Sequence, residues 1–418
     1  MKKMVVLSGY QTVKDALVNH ADEFGERGRV PIFEVINKGF GIPFAHGENW
    51  RLMRRFTLST LRDFGMGKKT IEHRIMEESE FLVKYFQSHR GRAFDVYAIL
   101  HAAVANIITS VVLGHRFDYD NPTLVMLSKL VSDNLRLIGS PMVNLYNMYP
   151  ALDFLPGDHK TVLQNISDIH AFLRNKFLKS RQELDSDDKR NFIDAFLVKE
   201  QMEKDNPDSN FHEVNLISVV TTLFTAGTDT TAATLYWAFL LMMKYPEIQG
   251  KVQEEIERVL GSEQPTTAHR KHMPYTDAVI HEIQRFGNIL PLGLPRETTV
   301  DTNFKGYFLP KGTYVIPLLE SVLYDKTQFE KAEEFNPQHF LDSDGKFVKK
   351  EALMSFGAGR RICIGENLAR MELFLFFTSL LQKFTFCPAP GVTHLDLTPA
   401  VGFSTPPLHY ELCALARS

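Results

Sequence analysis

The chain has 418 residues, a hydrophobic content of 44%, a charged content of 23% and a formal net charge of −3. This near-neutral composition provides no global basic surface for nucleic acid, and the length exceeds what one hydrophobic core usually fills. We therefore expect either two domains or one large domain organised around a buried cofactor.

The N-terminal region predicts a short strand, at residues 5–7, that leads into a helix. The residues before this strand contain neither a signal peptide nor a membrane anchor. Two arginines follow in distinctive surroundings: Arg27 in the segment Phe-Gly-Glu-Arg-Gly, and Arg54 in a W-x-x-x-R pattern that begins at Trp50. Taken alone, either arginine is ordinarily a solvated surface charge.

Helical periodicity dominates residues 68–204 and 214–260, and polar, glycine-rich or proline-rich tracts separate the blocks. Short strand-like segments occur at residues 298–316 and 408–412. The sequence thus predicts a mainly α fold with small β-sheets at one side.

Residues 214–243 predict the longest helix. Asp229 is the only charged residue in this segment, and a helix of this length spans about 45 Å. Gly227, several threonines and the central acid would make a poor membrane span. We therefore predict a long helix that crosses the middle of a globular domain.

The centre of this helix carries the sequence Ala-Gly-Thr-Asp-Thr-Thr, from Ala226 to Thr231. Glycine and consecutive threonines are weak helix formers, which predicts a local distortion with a freed carbonyl and room for water or ligand. The alternative is that the threonine hydroxyls bond back to preceding carbonyls and that Asp229 is paired elsewhere. The residues alone leave both interpretations open.

Glu282 and Arg285 are neighbours at positions i and i+3 of a predicted helix with an apolar face. On a surface such a pair contributes only about 0.2–0.5 kcal/mol. Pairs of this kind are common, so this motif is weak evidence by itself.

The most specific pattern in the chain is Phe-Gly-Ala-Gly-Arg-Arg-Ile-Cys-Ile-Gly, which runs from Phe356 to Gly365. The glycines before Cys363 permit a tight turn with positive φ, and an apolar helical pattern follows the segment. Cys363 is therefore predicted at a helix N-terminus, where backbone N–H groups, the helix dipole and neighbouring arginines favour a thiolate. Taken alone, the loop fits a thiol nucleophile, a metal ligand or an inert buried cysteine.

The fixed positions F-x-x-G-x-R-x-C-x-G of this loop resemble the haem-binding loop of the cytochromes P450. The central-helix pattern A-G-x-[DE]-T-[TS] and the E-x-x-R pair resemble the same family, and essentially the whole chain is similar to its microsomal family-two members. The resemblance implies a cytochrome P450 fold in a single catalytic domain, 1–418, with a long central helix over a buried haem b. It also implies that Cys363 is the axial ligand of the haem iron.

The resemblance assigns further roles. Thr230 and Asp229 would deliver protons to bound O₂ through waters. Glu282 and Arg285 would be buried and would form a structural network with His339, which stands where many relatives have arginine.

Two larger groups of residues are also implied by the resemblance. A dianionic cofactor needs cations and hydrogen-bond donors. The residues expected around the haem, in addition to Cys363, are Arg27, Trp50, Arg54, Arg296, Phe356, Gly357 and Arg361. The residues expected to contact substrate are Phe224, Ala226, Leu290, Leu292, Leu294 and Phe403.

The resemblance implies a monooxygenase that inserts one atom of O₂ into an apolar substrate, such as a xenobiotic, a fatty acid like arachidonate or a steroid. Electrons from NADPH would arrive through NADPH–cytochrome P450 reductase, with cytochrome b5 as a second partner. The alternative function is a non-catalytic haem-binding or regulatory protein. We expect the cytoplasmic face of the endoplasmic reticulum membrane, with weakened membrane association because the family's anchor, hinge, first helix and first strand are absent from this chain.

Overall fold

The computed structural model describes residues 4–417 and is mainly helical with small β-sheets, as the sequence predicts. The helices are α1 (Tyr10–Lys14), α2 (Pro31–Asn37), α3 (Gly47–Asp63), α4 (Lys69–Ser88), α5 (Tyr97–Val112), α6 (Pro122–Ile138), α7 (Pro141–Met148), α8 (Asp158–Gln182), α9 (Phe192–Met202), α10 (Glu213–Lys244), α11 (Pro246–Leu260), α12 (Pro274–Gly287), α13 (Glu320–Leu323) and α14 (Glu366–Lys383). The strands are β1 (Met4–Leu7), β2 (Glu26–Arg27), β3 (Arg296–Glu297), β4 (Thr302–Phe304), β5 (Tyr307–Leu309), β6 (Tyr314–Pro317), β7 (Phe384–Pro388) and β8 (Leu412–Ala416).

Local sequence decides where several helices begin. The side chains of Asn121, Ser140 and Asn191 accept hydrogen bonds from the first backbone N–H groups of α6, α7 and α9. A proline follows the capping residue in α6 and α7, where its missing N–H group costs nothing. These caps divide the predicted helical block 68–204 into separate helices.

The β-structure lies in three small sheets. The largest has the strand order β1-β6-β3-β2, with β1 parallel to β6 and the other pairs antiparallel. The predicted strand at 408–412 is wrong, because the C-terminal strand begins at Leu412, where it pairs with Pro388 of β7. The start of the predicted segment pairs elsewhere, because the backbone N–H of Leu408 donates to the carbonyl oxygen of Thr398.

The long helix α10 has 32 residues and crosses the core. Its bounds agree with the predicted segment 214–243 to within one residue at each end, but the predicted distortion at its centre is wrong because the helix is continuous. Gly227 has a packing role instead. A Cβ atom there would lie 2.6 Å from Cδ1 of Ile108, so the glycine allows α5 to pack closely against α10.

The main hydrophobic core surrounds α10, whose Trp237 and Phe239 are almost completely buried. Buried residues of α4, α5, α11, α12 and α14 belong to the same cluster. Within residues 4–417, no helix combines the length and the apolar character that a membrane crossing requires. The segment from Glu213 to Lys244 is an interior helix, as predicted, because most of its residues are buried.

Candidate active site

A cavity of about 360 Å³ lies between α10 and the segment 356–365, which we call the cysteine loop. Most of the predicted site residues line this cavity, although they are distant in sequence. They are Arg27, Trp50, Arg54, Ala226, Asp229, Thr230, Leu290, Leu294, Arg296, Phe356, Gly357, Arg361, Cys363 and Phe403.

The cysteine loop presents Cys363 to this cavity from just before α14. The backbone N–H of Cys363 donates to the carbonyl oxygen of Phe356 at 3.0 Å, and the N–H of Gly365 donates to Sγ of Cys363 at 3.3 Å. Gly357 and Gly359 both have the predicted positive φ, 72° and 69°. The second of these positions also needs glycine for space, because a Cβ atom there would overlap a backbone carbonyl oxygen of the N-terminal region.

Burial and the contacts of the cysteine loop act on the pKa of the Cys363 thiol in opposite directions. Burial raises the pKa of the Cys363 thiol, and this effect outweighs the opposite effects of the Gly365 N–H group and of Arg54. A metal cation deprotonates a coordinating thiol. A bound metal would therefore act in the same direction as the Gly365 N–H group and Arg54, which both favour the thiolate.

Four arginines with little compensating charge converge on the same cavity. Burial and repulsion from the other three arginines lower the pKa of Arg27. Burial also lowers the pKa of Arg54. The pKa of Arg296 falls to about 10 because of burial and repulsion from Arg54. The pKa of Arg361 falls to about 9, mainly by burial, although Glu26 opposes this shift. Such a cluster is matched to an anionic group.

Arg361 and Trp50 form the centre of this cluster. The Arg361 guanidinium lies 3.7 Å from the Trp50 ring centroid, and it donates to the carbonyl oxygen of Ala45 at 2.8 Å and to Glu26 at 3.2 Å. Nε1 of Trp50 and Nε of Arg296 are buried without a hydrogen-bond partner. Buried donors are nearly always satisfied, so these two atoms fit the carboxylates of a cofactor such as haem.

Asp229 and Thr230 of α10 adopt the alternative that the sequence left open, in which the threonine hydroxyl bonds back to a preceding carbonyl oxygen. Oγ1 of Thr230 donates to the carbonyl oxygen of Ala226 at 2.8 Å. Asp229 is buried, and its Oδ2 accepts from Oγ of Ser404 at 2.6 Å. Burial raises the pKa of Asp229, which makes this carboxyl a group that holds a proton at a higher pH than an exposed aspartate does.

Two predicted substrate contacts lie outside the cavity. Phe224 is two residues before Ala226, which turns it by more than half a helical turn, and it lines a separate void of about 20 Å³ between α10 and α5. Leu292 is 58% exposed, because it stands at the outer side of a turn whose neighbours Leu290 and Leu294 face inward. Both predictions are therefore corrected.

Glu372 is a cavity residue that the sequence patterns did not assign to the site. It is buried in α14, Oγ1 of Thr231 donates to its Oε2 at 3.2 Å, and Oε1 has no partner. Burial raises its pKa to about 8, so the carboxyl holds a proton at a higher pH than an exposed glutamate does. The sequence did contain a signal for this residue, because Glu372 is a single acidic residue within an otherwise apolar helical segment.

Glu282 and Arg285 are fully buried and form a two-point ion pair, with both contacts at 2.7 Å. Arg285 also donates to three backbone carbonyl oxygens, at 3.0, 2.7 and 2.8 Å. Nδ1 of His339 lies 3.1 Å from Glu282, and its Nε2 faces the carbonyl oxygen of Glu330. Both ring nitrogens face acceptors, so His339 connects Glu282 to the backbone at Glu330 and forms the third member of this network.

Comparisons with known proteins agree with this arrangement. The chain matches the family model described as Cytochrome P450 over residues 1–414. It is 52% identical over 423 residues to cytochrome P450 2K6 of Danio rerio, covering 100% of this chain and 83% of that protein. It is 47% identical to cytochrome P450 2F2 of Mus musculus, with 100% and 85% covered, and 47% identical to cytochrome P450 2C11 of Rattus norvegicus, with 99% and 83% covered.

The chain therefore belongs to the cytochrome P450 family of haem-dependent monooxygenases, which are oxidoreductases that use O₂. Within that family it is of the family-two type, since relatives named 2K, 2F and 2C match across the full chain. A haem, a redox partner and a small-molecule substrate follow from the family in general terms.

Proposed function

We propose that this protein oxidises small apolar molecules, such as xenobiotics, fatty acids or steroids, with haem b held in the cavity and Cys363 as its axial ligand. One observation carries the proposal: Cys363 lines the same cavity as four buried or half-buried arginines. A thiol beside a site for two carboxylates is the donor set that a haem requires. The chain would fold as the single catalytic domain that the sequence predicts.

The residues that would hold the haem carboxylates are Arg27, Trp50, Arg54, Arg296 and Arg361. When bound, the haem supplies the oxidising chemistry that activates O₂. The reduced, carbon-monoxide-bound protein tests this assignment, and we expect a Soret band of the thiolate type. A spectrum without that band in freshly prepared, folded protein would contradict the proposal.

The protein's own residues would place the substrate and exclude water. Ala226, Leu290, Leu294 and Phe403 give the cavity an apolar wall, and apolar walls with few polar groups are usual for small-molecule sites. Phe33 packs edge-on against Phe403, with ring centroids 5.6 Å apart. Substrates would therefore be selected mainly by shape and apolar area.

Proton delivery is the second task. Asp229 would supply a proton from its buried carboxyl, and the Thr230 hydroxyl, rotated away from the Ala226 carbonyl oxygen, would position the water that carries it. The hydroxyl is only partly buried and lines the cavity, so this rotation requires no backbone movement.

Thr230→Ala is expected to uncouple turnover. Without the hydroxyl the proton is misdirected and peroxide is released. Product per NADPH should therefore fall by roughly tenfold, which is less than the rate loss expected when a general acid is removed completely. NADPH consumption and peroxide are measured together with product. Thr230→Ser, which keeps the hydroxyl, should restore coupling, and equal coupling in all three proteins would exclude the role.

We infer that electrons arrive from NADPH through NADPH–cytochrome P450 reductase, with cytochrome b5 as a second donor. Helix α3 supports this inference, because Trp50 and Arg54 face the cavity while the adjacent Arg51 and Arg55 are exposed. Arg360 is paired with Asp22, and Arg51 with the exposed Glu48 at 3.5 Å, so Arg55 is the least compensated of the three. A basic surface beside the cysteine loop suits an acidic partner.

Charge reversal at Arg51 and Arg55 together is expected to slow reductase-driven turnover by roughly tenfold at low ionic strength and by less in salt. Activity driven by added peroxide should be unchanged, because it requires no partner. Lys204→Glu, an exposed reversal outside α3, is the matched control. A parallel loss of both activities would show that the two arginines serve the fold instead.

We also infer that the protein acts at the cytoplasmic face of the endoplasmic reticulum membrane. The inference rests on the similarity to microsomal family-two members, and location by cell fractionation tests it.

A further inference from the structure

His101 occupies an unusual position for an ionisable residue. It lies in α5 and is 2% exposed, inside a helix whose other buried residues are mostly apolar. Its Nε2 atom is 3.7 Å from Oδ1 of Asp229 in α10, and neither ring nitrogen has a hydrogen-bond partner. A buried imidazole normally satisfies both nitrogens, so the carboxyl of Asp229 is the available partner.

The second oxygen of this carboxyl is held from another direction. Oδ2 accepts a hydrogen bond of 2.6 Å from Ser404 of the C-terminal segment. Asp229 is thus held between α5 and the C-terminal segment while it lines the cavity next to Thr230. Neither group that holds the carboxyl belongs to the helix that carries it.

Among the groups around Asp229, His101 is the ionisable one that favours the charged form of its carboxyl. Burial raises the pKa of Asp229, while His101 and Ser404 oppose that shift. The Tyr97 ring packs on His101 with centroids 4.4 Å apart, but its pKa is raised to about 12 and it stays neutral. Asp229 acts on Tyr97 more strongly than Asp95 and Asp133 do, and Asp229 is also the charged group that acts on His101.

We propose that His101 is a positioning residue for Asp229. His101 stabilises the carboxylate of Asp229 each time the proton leaves for the cavity. The O–H bond of the Asp229 carboxyl breaks, and the proton passes to a cavity water next to Thr230. Nε2–H of His101 then donates to the deprotonated carboxylate at Oδ1. The carboxyl later regains a proton from water. A contraction of the 3.7 Å separation to hydrogen-bond length accompanies the release.

This inference rests on the proposed proton-delivery role of Asp229 and adds the residue that tunes it. Without the imidazole, the carboxylate would be buried with Ser404 as its remaining donor. Removal of the donor should therefore raise the proton affinity of Asp229 and slow the release of its proton. A histidine that only fills space would change neither quantity.

The test uses the haem-loaded protein and three variants. His101→Leu removes the donor, His101→Gln retains an N–H donor, and His159→Leu is the matched control, since His159 is another buried histidine 3.8 Å from an aspartate, Asp153. Difference infrared spectroscopy follows the protonated carboxyl of Asp229, identified by its loss in Asp229→Asn, as pH rises. Product per NADPH is measured on the same samples.

We expect at least a tenfold higher proton affinity of Asp229 in His101→Leu, a smaller increase in His101→Gln, and the wild-type value in His159→Leu. Product per NADPH should fall in the same order. If His101→Leu does not fold, the increase in His101→Gln decides the test. An Asp229 titration identical to wild type in the folded His101 variants overturns the inference, whereas a wild-type protein without the thiolate-type band overturns the proposed function itself.

Discussion

Replacing Cys363 by serine is expected to abolish monooxygenase activity and the thiolate-type Soret band. Serine has nearly the same size and would keep the backbone geometry of the cysteine loop, where residue 363 donates to the carbonyl oxygen of Phe356. An alcohol is a far weaker acid than a thiol, so it would not supply the electron-rich ligand that favours O₂ activation. The reduced carbon monoxide spectrum and product formation are measured on equal amounts of protein.

The control for this substitution is Cys387→Ser. Cys387 lies in β7 opposite Cys413 of β8 and does not line the cavity. We expect this variant to retain the band and the activity. Retention of the band in Cys363→Ser, or its loss in Cys387→Ser alone, would refute the ligand assignment.

Replacing Arg285 by alanine is expected to cause the largest loss of stability. Its side chain is fully buried, and every donor of its guanidinium is used by Glu282 or by backbone carbonyl oxygens. The substitution leaves Glu282 as a buried charge whose principal partner is gone, which costs about 3–5 kcal/mol. Whole domains are stable by only about 5–15 kcal/mol, so little folded haem protein should accumulate.

Arg285→Lys provides a milder variant for urea unfolding, because lysine keeps the charge but has fewer donors in a different geometry. The matched control is Arg258→Ala. Arg258 pairs with Glu255 at the same i,i+3 spacing, but its side chain is 67% exposed, and exposed pairs contribute about 0–1 kcal/mol. Equal destabilisation by Arg258→Ala and by the Arg285 variants would contradict the account of this buried network.

The features that the sequence predicted well depend on local chemistry. Positive φ at the glycines of the cysteine loop and the bounds of α10 follow from residue types close together in the chain. The recognition of the family by the cysteine loop was confirmed by the comparisons. The individual roles of the site residues remain proposals.

The features that were missed depend on distant contacts. Phe224 was expected in the cavity because it is apolar and resembles a family substrate-contact position, but the rotation of α10 directs it toward a different void. The contact of His101 with Asp229 joins α5 to α10, and periodicity cannot show which faces of two helices meet.

The central claim, that this protein is a haem-thiolate monooxygenase, is tested most directly with heavy-isotope dioxygen. Haem-loaded protein, reductase and NADPH are supplied with dodecanoic acid, progesterone and biphenyl as probes, and the oxidised products are analysed by mass spectrometry. We expect each hydroxylated product to carry one oxygen atom from O₂ and its formation to require Cys363. Product oxygen derived from water, or failure to oxidise any probe despite a thiolate-type spectrum, would contradict it.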